Sequence, residues 1–170
     1  MKEIQSKYLN YYRSFFNDLT TIIRNPKTYL NNFDSNINNS NQLLAIIIGV
    51  NALLSFVVLG FQPFVIINTV FRMLAFNTII ALISWLPLTK VLDKKSFLNH
   101  LRIFNYSSAA LLLAWLSPFS FIFYLYFYYL SYNGLKLTYN DNHFKIITIL
   151  LSAALMATFL VGILGMLLHF

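Results

Sequence analysis

Residues 111–130 read LLLAWLSPFSFIFYLYFYYL, inside a run from Ile103 to Leu135 that holds 33 residues and no charged side chain. How often this run crosses a membrane decides the fold. A helix of that length rises about 50 Å, against a hydrocarbon core of about 30 Å. One straight span would leave much of it in water. If the first of two spans starts at Ser96, it ends at Ser117 and the second runs from Phe119 to Lys136. Residues 117–120, SPFS, then supply the turn, since Pro118 disfavours helix at Ser117. The run is therefore expected to be a helical hairpin with its tip at Pro118 and Trp115 near the outer interface.

Working outward, the 170 residues are 58% apolar, 18% aromatic and only 10% charged. Soluble domains carry roughly 25% charge, so this chain cannot cover a globular surface. The apolar residues come in long blocks, which marks transmembrane helices. The net charge of +7 would suggest nucleic acid in a soluble protein. Here the basic residues sit between apolar blocks and report topology instead. The absence of cysteine removes disulfides and thiolate metal sites. Residues 1–40 show no apolar core of a cleaved signal peptide, so the first span is expected to direct insertion.

The predicted architecture is all-α: a polytopic membrane bundle of five transmembrane helices behind an amphipathic N-terminal helix. Residues 1–40 form the cytoplasmic N-terminal segment and 41–170 the membrane domain. In the former, Tyr8, Tyr11, Tyr12, Phe15, Phe16, Leu19, Ile22 and Ile23 share one helical face, with Lys7, Arg13 and Arg24 among the residues opposite. Such a helix lies in the headgroup region against anionic lipid or packs on the protein's own loops. Pro26 opens a short second helix, and DSNINNSNQ (34–42) reads as a linker. The spans are expected at about 43–61, 64–88, 96–117, 119–136 and 146–170. Trp85 suits the interface near the second span's end, and Ser96 can cap the helix that follows.

Charge supports five crossings. The N-terminal segment carries Lys2, Lys7, Arg13, Arg24 and Lys27. The loop after span two and the entry to span three carry Lys90, Lys94, Lys95 and Arg102, and the loop after span four carries Lys136 and Lys145. Eleven of twelve Lys and Arg thus share one side. The positive-inside rule makes it cytoplasmic, with the N-terminus in and the C-terminus out. Heavy Asn, Ile, Lys and Phe usage with short loops fits an AT-rich bacterial gene, and the expected location is the bacterial inner membrane.

Catalytic machinery is sparse. The five carboxylates, Glu3, Asp18, Asp34, Asp93 and Asp141, lie outside the expected spans, so the paired intramembrane aspartates of a protease are absent. His100, His143 and His169 lack ligand spacing, and no nucleophile elbow or phosphate-binding loop occurs. No enzyme activity, cofactor, metal or nucleic-acid partner is expected. The residue that stands out is Arg72, a cation inside a span and so a functional candidate. Asn68 lies one turn away and Asn51 sits at comparable depth in the neighbouring span. Two readings stand: Asn51, Asn68 and Arg72 form a polar cluster for an anion or lipid headgroup, or Arg72 snorkels to the outer interface. The aromatic residues of span four surround the helix and suit packing and lipid contact. Ala153, Ala157, Gly162 and Gly165 offer a close-packing face, within one chain or between copies in a homo- or hetero-oligomer.

Three stretches resemble the Yip1 family of small five-span membrane proteins. IIRNPKTYLNNF (22–33) is similar to the family's segment before span one, and FLNHLRIFNYSSAALLLAWLSP (97–118) to its entry into span three. LYFYYLSYNGLKLTYNDNHFKIITILLSAAL (125–155) resembles span four, its cytoplasmic glycine and the lysine opening span five. The resemblance makes Pro26, Gly134 and Lys145 family positions. Eukaryotic members are associated with Rab GTPases and vesicle traffic, so it implies a role in membrane organisation or scaffolding. A small transporter or channel subunit using Arg72 is the alternative.

Overall fold

The computed structural model describes residues 17, 20, 21, 24, 25, 37–59, 61–89, 94–113 and 120–167. Among the described residues, five α-helices with defined ends follow in order: α1 Ile37–Val58, α2 Pro63–Leu88, α3 Lys94–Ser107, α4 Ser120–Tyr139 and α5 His143–Leu167, with a 3-10 helix, Ser108–Leu113, continuing α3. The described residues include no strand. Asn17, Thr20, Thr21 and Arg24 are helical and exposed. The aromatic face expected beside them, Pro26, and the hairpin tip with Trp115 and Pro118 lie outside the described residues.

The helix ends follow local chemistry. Pro63 sits in the first turn of α2, where its missing N–H costs nothing. Asn140 ends α4 with φ 46°, a left-handed conformation asparagine tolerates, and its N–H donates to Lys136 O at 3.0 Å. Asn142 caps α5, its Oδ1 accepting from the Phe144 N–H at 3.0 Å. At the other end of its chain, α1 begins at Ile37, before the expected span start at Leu43. The polar residues read as a linker are drawn into the helix because Ser40 and Asn41 accept hydrogen bonds from Asn105 on α3.

Short connections make α1–α2 and α4–α5 neighbours. Helix α2 packs on α1, α3 and α5, while α4 packs on α3, α5 and the 3-10 helix. The core holds Ile47, Ile80, Phe104, Phe127, Leu135 and Ile146 without exposure. Ala153 and Ala157 are also fully buried within this one chain, so their small size serves close approach of α5 to its own bundle.

Polar side chains share the interior with the apolar core, while large apolar side chains cover the surface. Ser40, Asn51, Asn77, Ser84, His100, Asn105, Ser107, Ser108, Ser131 and Asn133 are buried, while Leu155, Phe159 and Met166 on α5 and Leu125 on α4 are mostly exposed. Water would favour the reverse; lipid favours this arrangement, because exposed apolar groups meet hydrocarbon and polar groups find partners inside. Among the described residues, three helices are long and apolar enough to cross a membrane: Asn39–Val58, Pro63–Leu88 and His143–Met166. Together these features mark an integral membrane protein. Helix α3 is short, with 14 residues, and α4 is less apolar because six of its residues are tyrosine. In lipid, burying apolar side chains gains little, so packing contacts and internal hydrogen bonds hold such a bundle together.

Candidate functional site

A cavity of about 500 Å³ opens between α2, α4 and α5. Helix α2 contributes Arg72, Met73, Phe76 and Asn77; α4 contributes Tyr124 and Tyr128; α5 contributes Thr158, Val161, Gly162, Gly165 and Met166. Leu44 of α1, with Ser108 and Leu111 of the 3-10 helix, completes the wall. Helix rise places Arg72 about 14 Å along α2 from Pro63, Tyr128 about 12 Å along α4 from Ser120, and Thr158 about 14 Å back along α5 from Leu167. Three helices thus bring polar groups to similar distances from the same end of the bundle.

Arg72 is exposed where it meets this cavity. Among the described residues it has no hydrogen-bond or ion-pair partner. The ion pair these residues do contain joins Lys145 to Asp141, at the opposite end of α5. Thr158 is committed, its hydroxyl donating to Ala154 O at 2.9 Å.

At one wall of the cavity, the buried Asn77 side chain belongs to a chain of amides and hydroxyls. Asn77 Nδ2 donates to Asn105 Oδ1 at 2.6 Å, and Asn105 Nδ2 donates to Asn41 Oδ1 at 2.8 Å. The Ser108 hydroxyl lies within reach of Asn77 Oδ1, at 3.1 Å, and of Phe104 O, at 2.9 Å. These groups are uncharged, so they fix helix register without burying a charge.

The site residues expected from sequence separate. Arg72 lines the cavity. Asn51 and Asn68 are not among its lining residues, and Asn51 Nδ2 donates instead to Ile47 O at 2.9 Å and Leu111 O at 3.0 Å. Asn68 Oδ1 is buried without a hydrogen-bond partner among the described residues. Gly165 lines the cavity beside Gly162, Gly134 is buried in α4, and Lys145 pairs with Asp141 outside the cavity.

Sequence reasoning missed a second polar string. His100 is fully buried, with Nε2 at 2.9 Å from Ser84 Oγ and Nδ1 at 2.7 Å from the Tyr139 hydroxyl. Ser84 Oγ also lies 2.6 Å from Ile80 O. One neutral tautomer satisfies the whole string: Tyr139 donates to Nδ1, Nε2–H donates to Ser84, and Ser84 donates to Ile80 O. This string ties α2, α3 and α4 together. Beside it Trp85, expected at the interface, is buried, stacks edge-on to Phe97 at 5.4 Å and donates to Ser96 at 3.2 Å.

No protein-family model, curated protein or solved structure matches this chain.

Proposed function

We propose that this is a non-enzymatic five-span protein of a bacterial inner membrane, N-terminus inside, that binds an oxyanion-bearing ligand in the cavity at Arg72. The observation that carries the reading is Arg72 itself: a cation in the wall of a 500 Å³ cavity, with no partner among the described residues. An intramembrane cation is expensive and is normally paired. A guanidinium presents a planar fork of donors suited to carboxylate or phosphate.

Helix lengths support five crossings. The 14 residues of α3 and 6 of the 3-10 helix together rise about 33 Å, and the 20 residues of α4 about 30 Å, each matching the hydrocarbon thickness. Lys94 at the start of α3, Lys136 in the last turn of α4 and Lys145 in the first turn of α5 then fall at one end of the bundle, as the positive-inside rule asks. The Yip1-like scaffolding role expected from sequence would rest on an exposed interface. The cavity favours ligand binding instead.

The test is native mass spectrometry of the protein extracted from membranes in mild detergent. The wild type should carry an anionic lipid or solute. Arg72→Lys should retain it weakly, lacking the bidentate contact, and Arg72→Leu should lose it. An Arg72→Leu protein with normal abundance and the same bound anion would overturn the reading and leave Arg72 a snorkelling surface charge.

A further inference from the structure

The walls of the cavity divide its ligand into two chemical parts. Arg72, Tyr124 and Tyr128 supply a cation and two hydroxyls, while Met73, Phe76 and Val161 supply apolar surface. A small inorganic anion would use the first set and leave the second uncovered. A neutral hydrocarbon would use the second and leave the guanidinium unpaired. No carboxylate lies in the helical spans to neutralise Arg72; Asp141 is engaged by Lys145 in the α4–α5 connection.

Volume sets the number of chains. A methylene takes up about as much space as a water molecule, which occupies ~30 Å³ in the liquid. The 500 Å³ available therefore holds on the order of sixteen such groups, about one long chain, and a second chain would have to lie outside the walls. Gly162 marks an open part of the wall, since a Cβ added there would meet no heavy atom within 4 Å. A chain can enter at that edge from the lipid.

We propose that the cavity takes an amphiphile with a single hydrocarbon chain ending in an oxyanion, a carboxylate or phosphate monoester, with the anion at Arg72 and the chain against the α2 and α5 walls. This rests on the Arg72 reading above and adds the chain to it. The arrangement lets one ligand satisfy both the unpaired cation and the apolar lining.

The experiment uses the full-length protein in phosphatidylcholine nanodiscs and radiolabelled hexadecyl phosphate, with empty nanodiscs as background. Unlabelled hexadecyl phosphate should compete for a saturable site that Arg72→Leu abolishes. Inorganic phosphate, hexadecanol and dihexadecyl phosphate should each compete about tenfold or more weakly, since each lacks the charge, lacks the chain or carries one chain too many. Gly162→Leu adds bulk at the open edge, where its first added carbon meets no heavy atom within 4 Å. It should keep the wild-type melting temperature and bind hexadecyl phosphate at least about tenfold more weakly. Equal competition by inorganic phosphate or dihexadecyl phosphate, or unchanged binding by Gly162→Leu, would overturn the single-chain assignment while leaving the oxyanion reading intact. No Arg72-dependent binding of any of these anions would overturn both.

Discussion

Asn77 of α2 and Asn105 of α3 join side chain to side chain at 2.6 Å, both buried, in the wall between the cavity and α1. Each amide is also engaged on its other side: Asn77 Oδ1 faces the Ser108 hydroxyl, and Asn105 Nδ2 reaches Asn41 and Ser40. Apolar side chains can slide past one another in lipid with little cost. A pair of amides has one satisfying alignment, so this contact sets the register of α1, α2 and α3 and the shape of the cavity wall.

Removing both members should therefore cost less than the two single removals added together. Asn105→Leu leaves Asn77 Nδ2 and Asn41 Oδ1 short of a partner, and a destabilisation of about 1–3 kcal/mol is expected. Asn77→Leu should act similarly, and the double variant should recover part of the summed loss. A double-mutant cycle read by unfolding in mixed micelles should return a coupling of about 0.6–1.7 kcal/mol, the range for hydrogen bonds between membrane helices. Strict additivity would show that the two amides act independently.

The helices were legible because charge-free runs have few alternatives in a chain this apolar. The expected spans 64–88 and 119–136 lie close to α2 and α4, Pro63–Leu88 and Ser120–Tyr139. The polar network was not legible. Asn105 finds Asn41 across 64 residues and His100 finds Tyr139 across 39, and no local pattern encodes such distances. The same gap affected the site: Arg72 stood out as a cation within a span, but helix periodicity alone could not tell that Asn51 would be spent on the Ile47 and Leu111 carbonyls.

The buried His100 string makes a second prediction. In the satisfied arrangement the ring is neutral, with its proton on Nε2. Nitrogen NMR of ring-labelled protein should report that tautomer. Tyr139→Phe removes the donor to Nδ1 and should cost about 1 kcal/mol, as should Ser84→Ala. A ring protonated on Nδ1 would instead have Ser84 donating to Nε2 and leave Ile80 O without that bond, contradicting the assigned direction.

Acid sensitivity is expected in the α4–α5 connection. The side-chain hydrogen bond from Lys145 and the Asn142 backbone N–H hold the Asp141 carboxyl below its usual range. A carboxyl more acidic in the folded than in the unfolded state adds stability above its unfolded pKa and loses it as pH falls through the folded value. The contribution is thus present at neutral pH and fades as pH falls from about 4 through the lower folded value. Melting temperature should fall more steeply between about pH 5 and pH 3 for the wild type than for Asp141→Asn. Added salt should shrink the difference, because the pair is exposed. Parallel pH profiles would show that Asp141 contributes nothing to stability.

Five crossings make a definite statement about which loops share a compartment, and the natural absence of cysteine makes it simple to check. Cysteine at Gln62, in the α1–α2 connection, should react with an impermeant maleimide in intact cells. Cysteine at Asn39 near the start of α1, at Ser96 near the start of α3 and at Asn142 before α5 should react only after lysis. Asn142 is the deciding position. If α3 with its 3-10 extension and α4 each cross, the α4–α5 connection returns to the side that holds Ser96. If the run from Ile103 to Leu135 crosses once, that connection lies outside, Lys136 and Lys145 lie with it, and the charge asymmetry behind the orientation is weakened. Labelling at Asn142 in intact cells would therefore remove the five-span architecture. Protection there, with labelling at Gln62, would place Arg72 in the outward half of a span.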